Sequence, residues 1–379
     1  MTAYSQTIAG PEPRVANDDR GHDHGVNGTT RVKRGLRRPL RWAGVCLLYA
    51  VATLYLVALV LPLFTETSGF IAKLPLLPRL VEEGGRRAGP ARHPLPAPPP
   101  VPAAALAQFR PLPAFRDAVP VLVYHGIGDD RNDPYSVTQR AFEEQMAMLR
   151  RAGFDAISPR QYARFLAGDR RGLPARPILI TFDDGRLDSY RGADAVLGRY
   201  GFRATMFVIS GHAEDAHPFY LSWDELRAMQ RSGRWDLQLH SGRGHVVVPY
   251  DARGDRGPYY AFRLWRDGAL ESFAAYKRRV THDIDWGLQL LERRVPGVAP
   301  YTFAVPFGNY GQLRNNDPRI PGFFNRFLRA RFGAVFVQNR RGFTTRGTPR
   351  GDIGRYEVGA ATRTGELYRW LRSHIPRRR

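Results

Sequence analysis

Sulfur chemistry is nearly missing from this sequence. The 379 residues contain one cysteine, Cys46, so no intrachain disulfide can form. Thiolate-rich zinc sites are excluded as well, and any bound metal must be held by histidine and carboxylate groups. The lack of disulfides does not by itself fix the compartment. Acidic residues are also scarce, 35 Asp and Glu against 57 Lys and Arg, for a formal net charge of +22. Such a surplus suits an anionic partner such as lipid headgroups or an acidic polymer. It equally suits an arginine-rich composition spread over the whole chain, because the basic residues are scattered. No nucleic-acid-binding motif accompanies the charge, so nucleic acid is not an expected partner. No internal repeat is present. Hydrophobic residues make up 43% of the chain, enough for a sizeable core.

Charge disappears altogether between Trp42 and Phe64. A helix of that length would cross a hydrocarbon core of roughly 30 Å. The polar tail 1–41 ends in Arg31, Lys33, Arg34, Arg37, Arg38 and Arg41. It reads as a disordered basic cytoplasmic segment, which places the rest of the chain outside the cell membrane. A cleaved signal peptide is the competing reading. The long tail and the lack of a nearby small-x-small site favour an uncleaved anchor. Residues 65–115 read as a linker, with the Pro- and Ala-rich stretch HPLPAPPPVPAAALAQFRPLP as a semi-rigid spacer.

Beyond it, 116–379 read as one domain in which short apolar runs alternate with amphipathic stretches. PVLVYH, PILITF, RATMFVIS, WDLQLHS, YTFAVPFG, AVFVQ and RYEVG are the strands. Helices are expected over RAFEEQMAMLRRAG, 187–200, 272–294 and 366–373, and over SWDELRAMQRSG with the capping box Ser222–Glu225. This alternation predicts an α/β fold with a parallel sheet, open or closed into a barrel.

Candidate site residues sit where three of these strands end, and at two of them they can bind a metal. ILITF runs into Asp183, Asp184 and Gly185. Side chains alternate along a strand, so one carboxylate can bind a metal while its neighbour takes a proton. A plain Asp-Asp-Gly turn would look the same in isolation. His240 ends a second strand and His245 follows after two glycines, a spacing that suits a loop curling back so the imidazoles converge. Two histidines and a carboxylate leave positions open for water and substrate. A third strand runs into Pro306, Phe307 and Gly308, with Tyr310 close behind. Sites in α/β sheets gather at the C-terminal strand ends, and these three occur together there.

Residues 118–373 resemble the NodB-type polysaccharide deacetylases of carbohydrate esterase family four. TFDDG at 181–185 looks like the family's first motif, His240-Ser241 through His245 like its second, and Phe303–Gly308 like its third. The resemblance implies a distorted (β/α) barrel, here preceded by one transmembrane helix. It implies Asp183 as catalytic base and Asp184, His240 and His245 as ligands of one divalent metal, most simply Zn2+. It further implies an N-acetylated polysaccharide as substrate, contacted by Pro306, Phe307, Gly308 and Tyr310, with Trp223 as a further stacking surface. The histidine spacing is one residue longer than usual, as in the biofilm poly-N-acetylglucosamine branch. Ala304 stands where the third motif has its arginine. The last motif's acid histidine is missing from RYEVG, and His374 is a poor match. His125, at the end of the first strand, is the preferred substitute, with His282 behind it; a structural role for His125 is equally compatible. The expected activity is N-acetyl hydrolysis at the outer membrane face. A weakly active or inactive relative that binds wall polymer is the alternative, ahead of a metal-dependent phosphoester hydrolase.

Overall fold

A computed structural model describes residues 92–129, 132–338 and 343–376. The basic tail, the apolar run 42–64 and the linker up to residue 91 lie outside the described residues. None of the described helices is long and apolar enough to cross a membrane.

Eight strands form the main sheet: β1 Val121–Tyr124, β2 Asp155–Ala156, β3 Pro177–Phe182, β4 Ala204–Ile209, β5 Trp235–Ser241, β6 Thr302–Ala304, β7 Ala334–Phe336 and β8 Tyr356–Glu357. Their order is β7-β6-β5-β4-β3-β1-β8, with β2 beside the start of β3. All pairings in this sheet are parallel. Helices cover it: α1 Gln139–Ala152, α2 Pro159–Leu166, α3 Leu187–Tyr200, α4 Trp223–Ser232, α5 Phe273–Arg294, α6 Arg319–Arg331 and α7 Thr364–Ser373. Parallel strands buried on both faces explain the unbroken apolar runs of β1, β3 and β4.

The sheet curls strongly. Residues 353–358 touch both of its edges: Ile353 bridges Phe336 on β7, while β8 pairs with Leu122 and Val123 on β1. Val119, Leu179, Phe207, Ala304, Phe336 and Ile353 fill the concave side as one cluster with Tyr162 and Phe165 of α2. Because every strand runs the same way, His125, Asp183, His240 and the loop after β6 all emerge at one rim.

The segment 92–115 belongs to this body, a correction to the linker boundary at 115. Phe109, Leu112 and Phe115 are buried. The proline-rich backbone, which has few donors of its own, offers carbonyls that arginines take up: Arg140 Nη1 donates to Pro99 O at 2.8 Å, and Arg199 Nη1 to Pro98 O. Arg92 is bound to the buried Glu225 at 2.9 Å. Of these seven helices, α2 and α6 escape the sequence pattern. In α6 Pro321 sits in the first helical turn, where its missing N–H costs nothing.

Candidate active site

β3 delivers Asp183 to the concave side, where its carboxylate is fully buried. Arg355, just ahead of β8, reaches across and grips it in a bidentate pair, Nη1–Oδ1 2.7 Å and Nη2–Oδ2 2.6 Å. The guanidinium is itself buried between the rings of Phe207 and Phe336, at 5.6 and 5.8 Å, and also donates to Thr181 Oγ1. Burial alone would push the Asp183 carboxyl up. The charges of Arg355 and His240, with the hydrogen bonds from Arg355, together outweigh burial and hold the group below the usual carboxylate range.

Asp184 leaves the strand with φ +71°, a left-handed backbone. That breaks the alternation expected of a strand, so both carboxylates serve the same rim instead of opposite faces. Asp184 Oδ1 lies 3.3 Å from His240 Nε2 and 3.3 Å from His245 Nε2. Against the lift from burial, the two imidazoles keep this carboxyl ionised as well. His240 Nδ1 donates to Ala304 O at 2.7 Å, which leaves the Nε2 lone pair facing Asp184. Burial would lower His240, but Asp183 and Asp184 raise it; His245, where burial dominates, is pulled down to about 4.

Asp184, His240 and His245 each offer a ligand atom, all within 4.8 Å of one another. Asp184 Oδ1 is buried without a hydrogen-bond partner among the described residues. Such an atom facing two imidazole nitrogens is costly unless a cation lies between them, and the donor set fits a divalent metal.

The loop from His240 to His245 is shaped by a residue that the sequence pattern does not reveal. Asp283 on α5 is buried and accepts from Gly242 N at 3.0 Å, Arg243 N at 2.6 Å and the hydroxyl of Tyr260. The loop lies so close to these groups that a Cβ at Gly242 would meet Asp283 O at 2.4 Å, and one at Gly244 would meet Tyr260 Oη at 2.5 Å. The two glycines therefore allow close approach, and Asp283 fixes the curl that brings His245 inward.

Phe307 has φ +57°, a strained conformation for an aromatic residue, and its ring lies 4.4 Å from that of His245. Phe307 is 36% exposed, the one open aromatic residue of this loop. Pro306 and Gly308 are buried and set the bend. Tyr310, expected to meet substrate, is buried in the cluster with Tyr260, Phe303 and Phe324, its hydroxyl accepting from Asn325 Nδ2 at 3.0 Å. It supports the loop from beneath, because the chain turns inward at that point. Trp223 is half-buried, with its indole N–H on Glu214 at 2.9 Å.

His125 follows β1 at the same rim, 8% exposed. Its Nδ1 has no hydrogen-bond partner among the described residues, and its Nε2 lies 3.5 Å from Gln338 Nε2, just past β7. His282 points outward on α5, and His374 packs at the end of α7 against Trp370. β8 brings no histidine to the rim.

Residues 170–317 match the family model for polysaccharide deacetylases. They form a polysaccharide deacetylase domain of the NodB type. The poly-beta-1,6-N-acetyl-D-glucosamine N-deacetylase of Escherichia coli K12 is 25% identical over 217 residues, which are 53% of this chain and 32% of that protein. The chain thus spans about a third of that relative's length. The IcaB structure from Ammonifex degensii superposes with a TM-score of 0.50 and 26% identity, covering 69% of this chain and 99% of that one. A de-N-acetylase from Aggregatibacter actinomycetemcomitans superposes with a TM-score of 0.58 at 20% identity, covering 67% of this chain and all of that one (100%). Arg355 and His125 both lie outside the stretch matched by the family model.

Proposed function

We propose that this protein hydrolyses N-acetyl groups from an amino-sugar polysaccharide of the poly-N-acetylglucosamine type, on the outer face of the membrane. The observation that carries the reading is the meeting, at one strand rim, of the carboxylate–guanidinium pair Asp183–Arg355 with the ligand set Asp184, His240 and His245.

A divalent cation held by those three ligands, most simply zinc, would supply Lewis acidity that polarises the amide carbonyl and acidifies the attacking water. Asp183, kept ionised and oriented by Arg355, accepts the proton as that water attacks. The N–H of Phe307 makes no hydrogen bond within the described protein and is the donor for the developing oxyanion. His125 gives its proton to the leaving amine, taking over the work of the absent last-motif histidine, while acetate departs. Residues 42–64 anchor the domain to the membrane.

The test is acetate release from poly-N-acetylglucosamine by the full chain, with and without zinc and with Asp184→Asn. Metal-dependent release that the substitution abolishes is the expected result. The missing histidine on β8 favours a second reading, a polymer-binding relative without turnover; polymer binding with no acetate release under any divalent metal would establish it.

A further inference from the structure

The loop between β4 and α4 carries a feature that this chemistry does not use. It is zipped to the turn bearing the two active-site carboxylates: Leu221 N donates to Gly185 O at 2.8 Å, and Leu187 N to Phe219 O at 3.0 Å. At its tip Phe219 is 47% exposed, with one face on the Arg186 guanidinium at 4.8 Å. Arg186 is not a free cation. It is buried and held by Asp133 at 2.6 Å, by Asp188 at 2.6 Å and by Ser136 Oγ at 3.0 Å. The ring therefore rests on a rigid, neutralised base, and His217 Nδ1 fixes it further by accepting from Phe219 N at 3.3 Å. Beside it, the Tyr220 ring stacks on His212, centroids 4.0 Å apart and 15° from parallel. The Tyr220 hydroxyl and the His212 ring nitrogens have no hydrogen-bond partner among the described residues.

An open aromatic face next to unused hydrogen-bonding groups suits a ring with an apolar face and polar edges. We propose that Phe219, with Tyr220 and His212 at its side, forms a subsite for the pyranose ring adjoining the sugar that is deacetylated. The proposal rests on the deacetylase reading and adds to it that the site recognises a chain and not a single sugar. A large apolar surface held rigid binds with little ordering cost, so the ring is organised before substrate arrives.

The test uses the zinc-loaded full chain and β-1,6-linked N-acetylglucosamine oligomers of one to five units. The wild type gains in kcat/KM as units are added. Phe219→Ala loses most of that gain, roughly three- to tenfold, through KM, and Phe219→Trp keeps it. Tyr220→Phe, which leaves both rings in place, loses a smaller part of the same gain and serves if the alanine variant unfolds. A gain that survives in both Phe219→Ala and Tyr220→Phe overturns the subsite, as does a loss in kcat that is equal for all lengths. If the wild type releases acetate from no oligomer, the deacetylase reading falls first and takes the subsite with it.

Discussion

Arg355 decides the orientation and the charge of Asp183. Both groups are fully buried, so neither can turn to water if the other is removed. Taking one partner from a buried ion pair leaves an uncompensated charge, at a cost of about 3–5 kcal/mol. Arg355→Met should lower the unfolding free energy by about that amount, measured by denaturant titration, and Asp183→Asn in the same chain should restore part of it. Acetate release should fall by about 10²–10⁴-fold in Arg355→Met, the range for a misplaced general base. A variant of wild-type stability and rate would show that the pair is not what sets up Asp183. Asp183, Asp184, His240 and His245 were legible in the sequence because strand-end position and spacing both mark them. Arg355 was not, although it opens the RYEVG strand, because the resemblance directs attention there to a histidine and an arginine among 57 basic residues carries no mark of its own. Its inward position, two residues after Ile353, becomes visible only once the chain at 353–358 is seen to join both edges of the sheet.

At the scale of elements, α5 and the loop it holds matter most. Asp283 accepts three hydrogen bonds that together define the path from His240 to His245. Removing a group that orients metal ligands typically weakens metal binding by about 10–100-fold. Asp283→Asn and Tyr260→Phe should each weaken zinc affinity within that range by competition titration, with the helix content of the metal-free protein unchanged. Unaltered affinity in both would mean that the loop holds its own shape. A second element carries a pH signature. Glu225 closes the capping box of α4 and binds Arg92. Burial would raise its carboxyl, but hydrogen bonds from Arg92 and Ser222 bring it below its ordinary 4.5. The folded state therefore favours the charged form. Its contribution is full above the ordinary value and is lost as pH falls through the lowered one. Glu225→Gln should be less stable than wild type at pH 7, with the gap narrowing as both are titrated to about pH 3; a gap independent of pH would assign the effect to packing. The capping box, like the long apolar strands, was readable because its chemistry is local. Asp283 was hidden within an ordinary amphipathic helix, and Tyr310 was misread because nothing local tells a supporting ring from an exposed one.

On the scale of the whole molecule, the alternation of strands and helices gave away a parallel α/β sheet, while its curvature depends on which of the short strands meet, and no single segment encodes its partner. The same scale holds the question of where the protein works. The uncharged run from Trp42 to Phe64 argues for an anchor, and the charge of +22 argues for surface attraction to anionic lipid; the two make opposite predictions. Attachment through charge is screened by salt, over a Debye length of about 3 Å at 1 M. An inserted helix is indifferent to salt and yields to detergent. The full chain is expected to stay with membranes through 1 M salt and alkaline carbonate and to leave them in detergent. Placing charges at the centre of the run, Leu54→Arg with Val57→Arg, costs about 2.5–3.5 kcal/mol per residue on insertion scales and should release the protein. With the basic tail inside, protease added to intact cells should remove the deacetylase domain and spare residues 1–41. Release of the unaltered chain by salt alone would put the domain on the membrane by charge, and the anchor would have to be given up.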